Sequence, residues 1–127
     1  MTTFNNELIH KFSLTPTPFF YYDLELLNQT LGSLKKAAGK YGYQVHYALK
    51  ANANTTILEQ IREYGFGADC VSGNEVSKAI ETGFTSDKIV FAGVGKSDDE
   101  IKTGLGYNIH SFNCESVQEL EVIDQIA

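Results

Sequence analysis

A lysine at the end of a short apolar run offers the clearest chemistry in this 127-residue chain. Residues 45–49 (VHYAL) are β-branched, aromatic or apolar, as a buried strand requires, and residues 52–54 (NAN) are typical of a turn. Lys50 is therefore predicted to lie where a strand passes into a loop. Because apolar surroundings disfavour the ammonium form of a lysine, such a position makes a nucleophilic amine available. An amine of this kind can form a Schiff base with an aldehyde cofactor such as pyridoxal phosphate.

The alternation of side chains along a strand predicts which residues accompany Lys50. His46 and Ala48 share its face, and the small side chain of Ala48 leaves room for a cofactor beside the lysine. On the next predicted strand Asp69 points to the same interior, where a buried carboxylate needs a cationic or hydrogen-bonding partner. Ala48 and Asp69 are thus candidate cofactor-binding residues. The alternatives are ordinary packing for Ala48 and a structural carboxylate for Asp69.

From residue 45 onward the chain repeats one unit of strand, helix cap, helix and glycine. The predicted strands begin near residues 45, 68, 89 and 109. A Ser or Thr followed by Glu three positions later predicts a capping box at four places: Thr56 with Glu59, Ser72 with Glu75, Ser97 with Glu100 and Ser116 with Glu119. The glycines predicted to end the first three helices are Gly65, Gly83 and Gly104. An earlier helix over residues 24–41 is predicted to be capped by Asp23 and to end at Gly42.

Strands that alternate with helices of this length predict βα units and a parallel sheet. The short, even intervals and the polar residues at strand ends favour a (β/α)8 barrel, whose chemistry gathers at the carboxyl ends of the strands. A doubly wound open sheet is the alternative, although no GxGxxG follows the first strand. Residues 93–97 (GVGKS) lack the first glycine of a phosphate-binding GxxxxGK[ST] loop and predict a strand-to-helix turn. Four units make half a barrel, so we expect residues 23–127 to be the first half of one that continues in a longer protein.

Composition argues against several classes of partner. The net charge of −6 disfavours nucleic acid and anionic membrane surfaces, and no run approaches the roughly 18 apolar residues of a membrane span. Cys70 and Cys114 lie outside any CxxC spacing and are expected to be reduced thiols of a cytoplasmic protein. The three histidines show no metal-ligand spacing, so no metal is expected.

Several ordered segments resemble the fold-type III pyridoxal-phosphate decarboxylases. They are residues 17–23 (TPFFYYD), 47–52 (YALKAN), 65–75 (GFGADCVSGNE), 89–96 (IVFAGVGK) and 112–116 (FNCES). Within that family, residues 72–75 and 92–97 are similar to the diaminopimelate decarboxylase branch. Ornithine decarboxylases resemble the chain around the lysine, Asp69 and Glu75, whereas alanine racemases share a Lys-Ala-Asn string and diverge afterwards.

The resemblance implies a fold, a cofactor and a reaction. The fold is an alanine racemase-like (β/α)8 barrel, with residues 1–22 joining a second, β-rich domain, in an enzyme that works as a homodimer. The cofactor is pyridoxal 5′-phosphate, attached through Lys50, with Ala48, Asp69 and Glu75 around it. Glu75 has a second interpretation as half of a capping box with Ser72. The implied reaction is decarboxylation of meso-diaminopimelate to L-lysine by the full-length enzyme, these 127 residues alone being inactive.

Two other functions are compatible with these residues. One is decarboxylation of another basic amino acid, such as ornithine, arginine or carboxynorspermidine, because the resemblance places most substrate-recognition residues of the family beyond Ala127. The other is a non-catalytic binding or assembly module that lacks the cofactor.

Overall fold

The computed structural model describes residues 4–127, in which four strands alternate with helices. The helices are α1 (Asn6–Leu14), α2 (Leu24–Gly39), α3 (Thr55–Glu63), α4 (Gly73–Glu81), α5 (Asp98–Gly106) and α6 (Val117–Ile126). The strands are β1 (His46–Ala48), β2 (Gly67–Cys70), β3 (Ile89–Phe91) and β4 (Ser111–Phe112), and short 3-10 helices span Leu49–Ala51 and Ser86–Lys88. Within residues 4–127 no helix combines the length and apolar character needed to cross a bilayer.

The four strands form one parallel sheet in the order β1-β2-β3-β4. Each strand pairs with its predecessor, so these strands contain no reversal of order of the kind that defines a doubly wound sheet. The predicted βα units are confirmed, and all four strands begin within two residues of the predicted positions. The sheet order is that of consecutive barrel strands.

The two faces of the sheet differ in burial. One face packs under the helices, and its side chains are 0–1% exposed: Ala68, Cys70, Ile89 and Phe91. The opposite face carries one residue from each strand in register and is only half-buried: Ala48, Asp69, Val90 and Ser111. The hydrophobic core therefore lies between the sheet and the helices, and the row on the other face is available for a site.

Serine side chains cap three of the helices, as predicted. Ser72, Ser97 and Ser116 each accept a hydrogen bond from the backbone N–H three residues later. The prediction at Thr56 was wrong, because Asn54 accepts the Thr56 N–H and α3 begins one residue before that threonine. At Ser97 the box is reciprocal, since the Glu100 carboxylate accepts the Ser97 N–H at 3.1 Å.

Gly65 and Gly83 follow the ends of α3 and α4 with φ of +82° and +86°, which confirms their role as helix stops. Gly104 does not end α5. It lies buried inside that helix, where an added Cβ would come within 2.5 Å of Phe112 Cζ. The helix continues to Gly106, and Asn108 takes the left-handed conformation with φ of +52°. Gly104 is thus required by close packing against β4 rather than by a turn.

Glu100 also connects two consecutive units of the sheet. Its Oε1 accepts the backbone N–H of Gly73, the first residue of α4, at 3.0 Å, while its Oε2 serves Ser97. These hydrogen bonds, from Gly73 first and then from Ser97, hold the pKa of Glu100 below its ordinary value of 4.5. One carboxylate therefore stabilises the amino-terminal ends of both α4 and α5.

The packing at Gly104 predicts opposite effects for two glycines of one helix. Gly104→Ala should lower the free energy of unfolding by about 1–3 kcal/mol, because its methyl group would overlap the Phe112 ring. At Gly106 an added Cβ would have no atom within 4 Å, so Gly106→Ala should raise the free energy of unfolding by about 0.5–1 kcal/mol through helix propensity. Urea denaturation measures both, and equal effects of the two substitutions would contradict the packing role.

The Glu100 hydrogen bonds predict an acid-labile contribution to stability. Because folding lowers this pKa, the contribution is complete above about pH 4.5 and is lost as the pH falls through the lower, folded-state value. Glu100→Gln should therefore reduce stability at neutral pH and flatten its loss on acidification to about pH 3. Urea denaturation across this range tests it. The control is Glu121→Gln on α6, because Glu121 is an exposed glutamate without a hydrogen bond or ion pair in residues 4–127. If the free energy of unfolding of Glu100→Gln depends on pH as that of the wild type does, the prediction is refuted.

Candidate active site

Lys50 lies on an anchored turn at the carboxyl end of β1. The strand ends at Ala48, one residue before the end of the predicted run 45–49, and Lys50 occupies the middle of the following 3-10 helix with its side chain exposed. The prediction that Lys50 continues the strand face of Ala48 was therefore wrong in this detail. The neighbouring Leu49 is 1% exposed, so the lysine projects from a turn whose other side is fixed in the core.

Polar contacts hold the same turn in place. The Tyr47 hydroxyl donates to the carbonyl oxygen of Asn52 at 3.3 Å, which bridges the turn from the strand. The Asn52 side chain accepts the N–H of Asn54 at 2.9 Å, and Asn54 in turn caps α3. The backbone on both sides of Lys50 is thus restrained, which limits the positions that its amine can reach.

Asp69 lies on the half-buried face of β2, in register with Ala48 on β1 and Val90 on β3. Its Oδ1 is buried and has no hydrogen-bond partner in residues 4–127. Because a buried carboxylate oxygen without a donor is destabilising, this atom identifies a place that a donor should fill. The sequence predicted that Ala48 and Asp69 share a face, and the structure brings them together as register partners.

His46 lies on the same face, toward the amino-terminal end of the strands. Its imidazole packs against Gly67, where the absence of a side chain leaves the space it occupies. Burial lowers the pKa of His46, the charges of His110 and Lys88 lower it further, and Asp69 opposes them. His46 is therefore biased toward its neutral form, as expected for a packed histidine.

Glu75 has a structural hydrogen bond at the end of β2. Its Oε2 accepts the backbone N–H of Val71 at 2.7 Å, and Ser72 Oγ accepts the N–H of Glu75 at 3.2 Å. The carboxylate thus binds the residue before the cap rather than the cap itself, which differs from the predicted capping box. Glu75 therefore holds the loop after β2, which begins two residues beyond Asp69 at the carboxyl end of the strands.

Sequence reasoning missed the part played by Lys96, which lies in the loop between β3 and α5. Residues 93–97 form the predicted strand-to-helix turn, but the Lys96 side chain is only 1% exposed. It forms an ion pair with Glu119 on α6 at 2.7 Å. The local sequence carries no signal for this pair, because the partner lies 23 residues away.

Comparison with known proteins places this geometry in a family. Residues 24–127 match the family model described as pyridoxal-dependent decarboxylase, pyridoxal binding domain. Diaminopimelate decarboxylase of Bacteroides thetaiotaomicron is 55% identical over 120 residues, which cover 94% of this chain and 31% of that protein. The Helicobacter pylori enzyme of the same name is 43% identical over 116 residues, covering 91% of this chain and 29% of that protein. The chain thus spans about 30% of the length of these relatives.

Solved structures agree on the architecture. The crystal structure of diaminopimelate decarboxylase from Helicobacter pylori complexed with L-lysine matches with a TM-score of 0.83 and 40% identity, covering 93% of this chain and 30% of that one. Arginine decarboxylase of Paramecium bursaria Chlorella virus shares the fold with a TM-score of 0.70 at 23% identity, covering 78% of this chain and 27% of that one. The predicted fold class is confirmed: the sheet is the amino-terminal part of an alanine racemase-like TIM-type barrel. The chain belongs to the pyridoxal-dependent decarboxylase family, and residues 24–127 are part of its pyridoxal binding domain.

Proposed function

We propose that this chain is the amino-terminal part of a cytoplasmic diaminopimelate decarboxylase that removes one carboxylate of meso-diaminopimelate as carbon dioxide and releases L-lysine. The carrying observation is Lys50 on its anchored turn at the carboxyl end of β1, in a chain 55% identical to a diaminopimelate decarboxylase over 120 residues. Carboxyl ends of barrel strands are where enzymes of this fold place their chemistry. We further propose that the full-length enzyme acts as a homodimer.

The half-buried face of the sheet and the Lys50 turn beside it carry residues that fit pyridoxal phosphate. Lys50 supplies a primary amine, Ala48 leaves space at the end of β1 just before it, and the unpartnered Oδ1 of Asp69 is an acceptor that a bound cation or N–H group would satisfy. When bound, the cofactor supplies an aldehyde for amine attachment and an electron-poor ring that accepts the electron pair left by departing carbon dioxide. We assign Lys50, Ala48 and Asp69 to this site.

Each residue then has a defined task. Lys50 supplies its amine from a turn that is anchored by contacts of its neighbours. Asp69 holds a positively charged or hydrogen-bonding partner close to Ala48. Glu75 contributes indirectly, since its bond to the Val71 N–H fixes the loop beyond Asp69. Proton transfer to the substrate carbon after decarboxylation completes the reaction.

We expect the full-length protein to release carbon dioxide from meso-diaminopimelate, and Lys50→Ala to abolish this release, because the substituted residue has no amine. Borohydride reduction should fix pyridoxyl phosphate on the peptide containing residues 48–52 of the wild type only. Lys102→Ala is the control, since Lys102 is an exposed lysine whose ion pair within residues 4–127 is with Asp99 on its own helix.

A substrate panel separates this proposal from its alternatives. Ornithine, arginine and carboxynorspermidine should react far more slowly than meso-diaminopimelate. A preference for one of them would keep the chemistry and replace the substrate. Failure to bind the cofactor at all would favour a non-catalytic module, and labelling that survives Lys50→Ala would remove Lys50 from its role.

Asp69→Asn should lower kcat/KM at least about ten-fold and weaken cofactor binding, while changing the urea midpoint little. Stability is expected to be retained because Oδ1 makes no hydrogen bond in residues 4–127. The control is Glu75→Gln, which keeps an oxygen to accept the Val71 N–H and should preserve both activity and stability. If Asp69→Asn leaves cofactor affinity and turnover unchanged, Asp69 is excluded from the site. If Glu75→Gln loses much of its activity while its stability is retained, Glu75 has a catalytic role.

A further inference from the structure

The side chain of Lys96 is buried, and each of its three ammonium protons has an acceptor. Nζ donates to the carbonyl oxygen of Gly93 at 2.8 Å, to that of Asn113 at 2.9 Å, and to Glu119 Oε1 at 2.7 Å. An ammonium group has three donors, so its hydrogen-bonding capacity is used completely. The ammonium also lies 5.4 Å from the centroid of the Phe91 ring, at the end of β3.

These acceptors belong to two different loops at the carboxyl edge of the sheet. Gly93 lies in the β3–α5 loop (residues 92–97), whereas Asn113 lies in the β4–α6 loop (residues 113–116) and Glu119 follows on α6. Glu119 is held in turn, because its Oε2 accepts the N–H of Glu115 at 2.7 Å. The side chain of Lys96 therefore joins two consecutive βα units through its hydrogen bonds.

The β3–α5 loop is also fixed on its other side. Gly93 has φ of +102°, and an added Cβ would come within 3.2 Å of the carbonyl oxygen of Val71, in the loop after β2. Glu100 then binds the N–H of Gly73 from the start of α5. The loops after β2, β3 and β4 thus form a continuous rim beside Asp69, and Lys96 makes the link between its second and third members.

The charge of Lys96 is required by its surroundings. Glu119 is only 14% exposed, and the N–H of Glu115 together with Lys96 lowers its pKa. Without the ammonium, Glu119 Oε1 and the carbonyl oxygens of Gly93 and Asn113 would each lose a donor. Because the Lys96 and Glu119 side chains are largely buried, breaking this ion pair is less favourable than breaking an exposed one.

We propose that Lys96 is a positioning residue for the cofactor site: it holds the β3–α5 and β4–α6 loops in the arrangement that completes the rim beside Asp69, at the same carboxyl edge of the sheet as Lys50. This inference rests on the proposed function for its effect on the cofactor. The joining of the two loops does not depend on any ligand.

In the full-length protein, Lys96→Met should speed amide hydrogen exchange in peptides covering residues 92–97 and 113–116 and weaken pyridoxal phosphate binding about ten-fold. Methionine keeps the length of the side chain and removes its charge. Ile101→Val is the matched control, because it removes one methyl group from a side chain buried in α5 while leaving every hydrogen bond of Lys96 in place. Ile101→Val should lower the free energy of unfolding without selectively speeding amide hydrogen exchange in the two loops.

Glu119→Gln and the double variant complete the experiment. If the pair acts as one unit, the double variant should bind the cofactor no more weakly than Lys96→Met alone. Should Lys96→Met fail to fold, Glu119→Gln carries the test, since it leaves the two carbonyl acceptors of Lys96 in place. For each variant, the loss of cofactor affinity is compared with the loss in free energy of unfolding. If the ratio of the two losses is the same for Lys96→Met and Ile101→Val, the proposal is overturned.

The same measurements separate this inference from the proposed function. A wild-type protein that binds no pyridoxal phosphate refutes the function, and the exchange data then decide alone whether Lys96 joins the two loops. Normal cofactor binding in Lys96→Met, with both loops exchanging as in the wild type, refutes the inference and leaves the function intact.

Discussion

Parallel pairing in register is the constraint on which the candidate site depends. Ala48, Asp69 and Val90 are aligned as neighbours across three strands, and the alternation along each strand sends the adjacent side chains to the opposite face. On that opposite face Ala68 and Ile89 are fully buried beneath the helices. A shift of one residue in register would bury Asp69 in the apolar layer and move Ala68 out of it, so the core itself fixes the position of the carboxylate.

The carboxyl edge of the sheet is stabilised by glutamates that do more than cap helices. Each stands three residues after a capping serine, yet Glu75 and Glu119 bind the N–H of the residue before that serine, and Glu100 on α5 reaches the start of the preceding helix, α4. A backbone N–H at a helix start has no partner within the helix, so a carboxylate that satisfies it also determines the path of the entering loop. These loops are the ones that follow β2, β3 and β4 and that border the candidate site.

Local patterns predicted the elements well, whereas contacts between distant residues escaped prediction. The units from β1 to α6 and the serine caps follow from hydrophobic pattern and capping chemistry, which act within a few residues. Gly104 looked like a helix stop, but its real constraint is the ring of Phe112 on the next strand. Similarly, the three acceptors of Lys96 become neighbours only after β3 and β4 pair. The helix α1 was not predicted, although Asn5 gives a local signal for its start by accepting the N–H of Leu8.

The strands separate stability from chemistry by face. Burial, with further contributions from Glu75 and Asp69, raises the pKa of the Cys70 thiol to about 12, so this potential nucleophile stays protonated on the core side. Lys50 stands on the other side of the same boundary, since its neighbour Leu49 enters the core and its own side chain remains exposed. Adjacent residues thus divide the two tasks: Leu49 fixes the turn, and Lys50 presents the amine. Because the anchoring contacts do not involve the Lys50 side chain, the turn can retain its position when the charge or the bonding of that amine changes, as the cofactor attachment proposed for Lys50 requires.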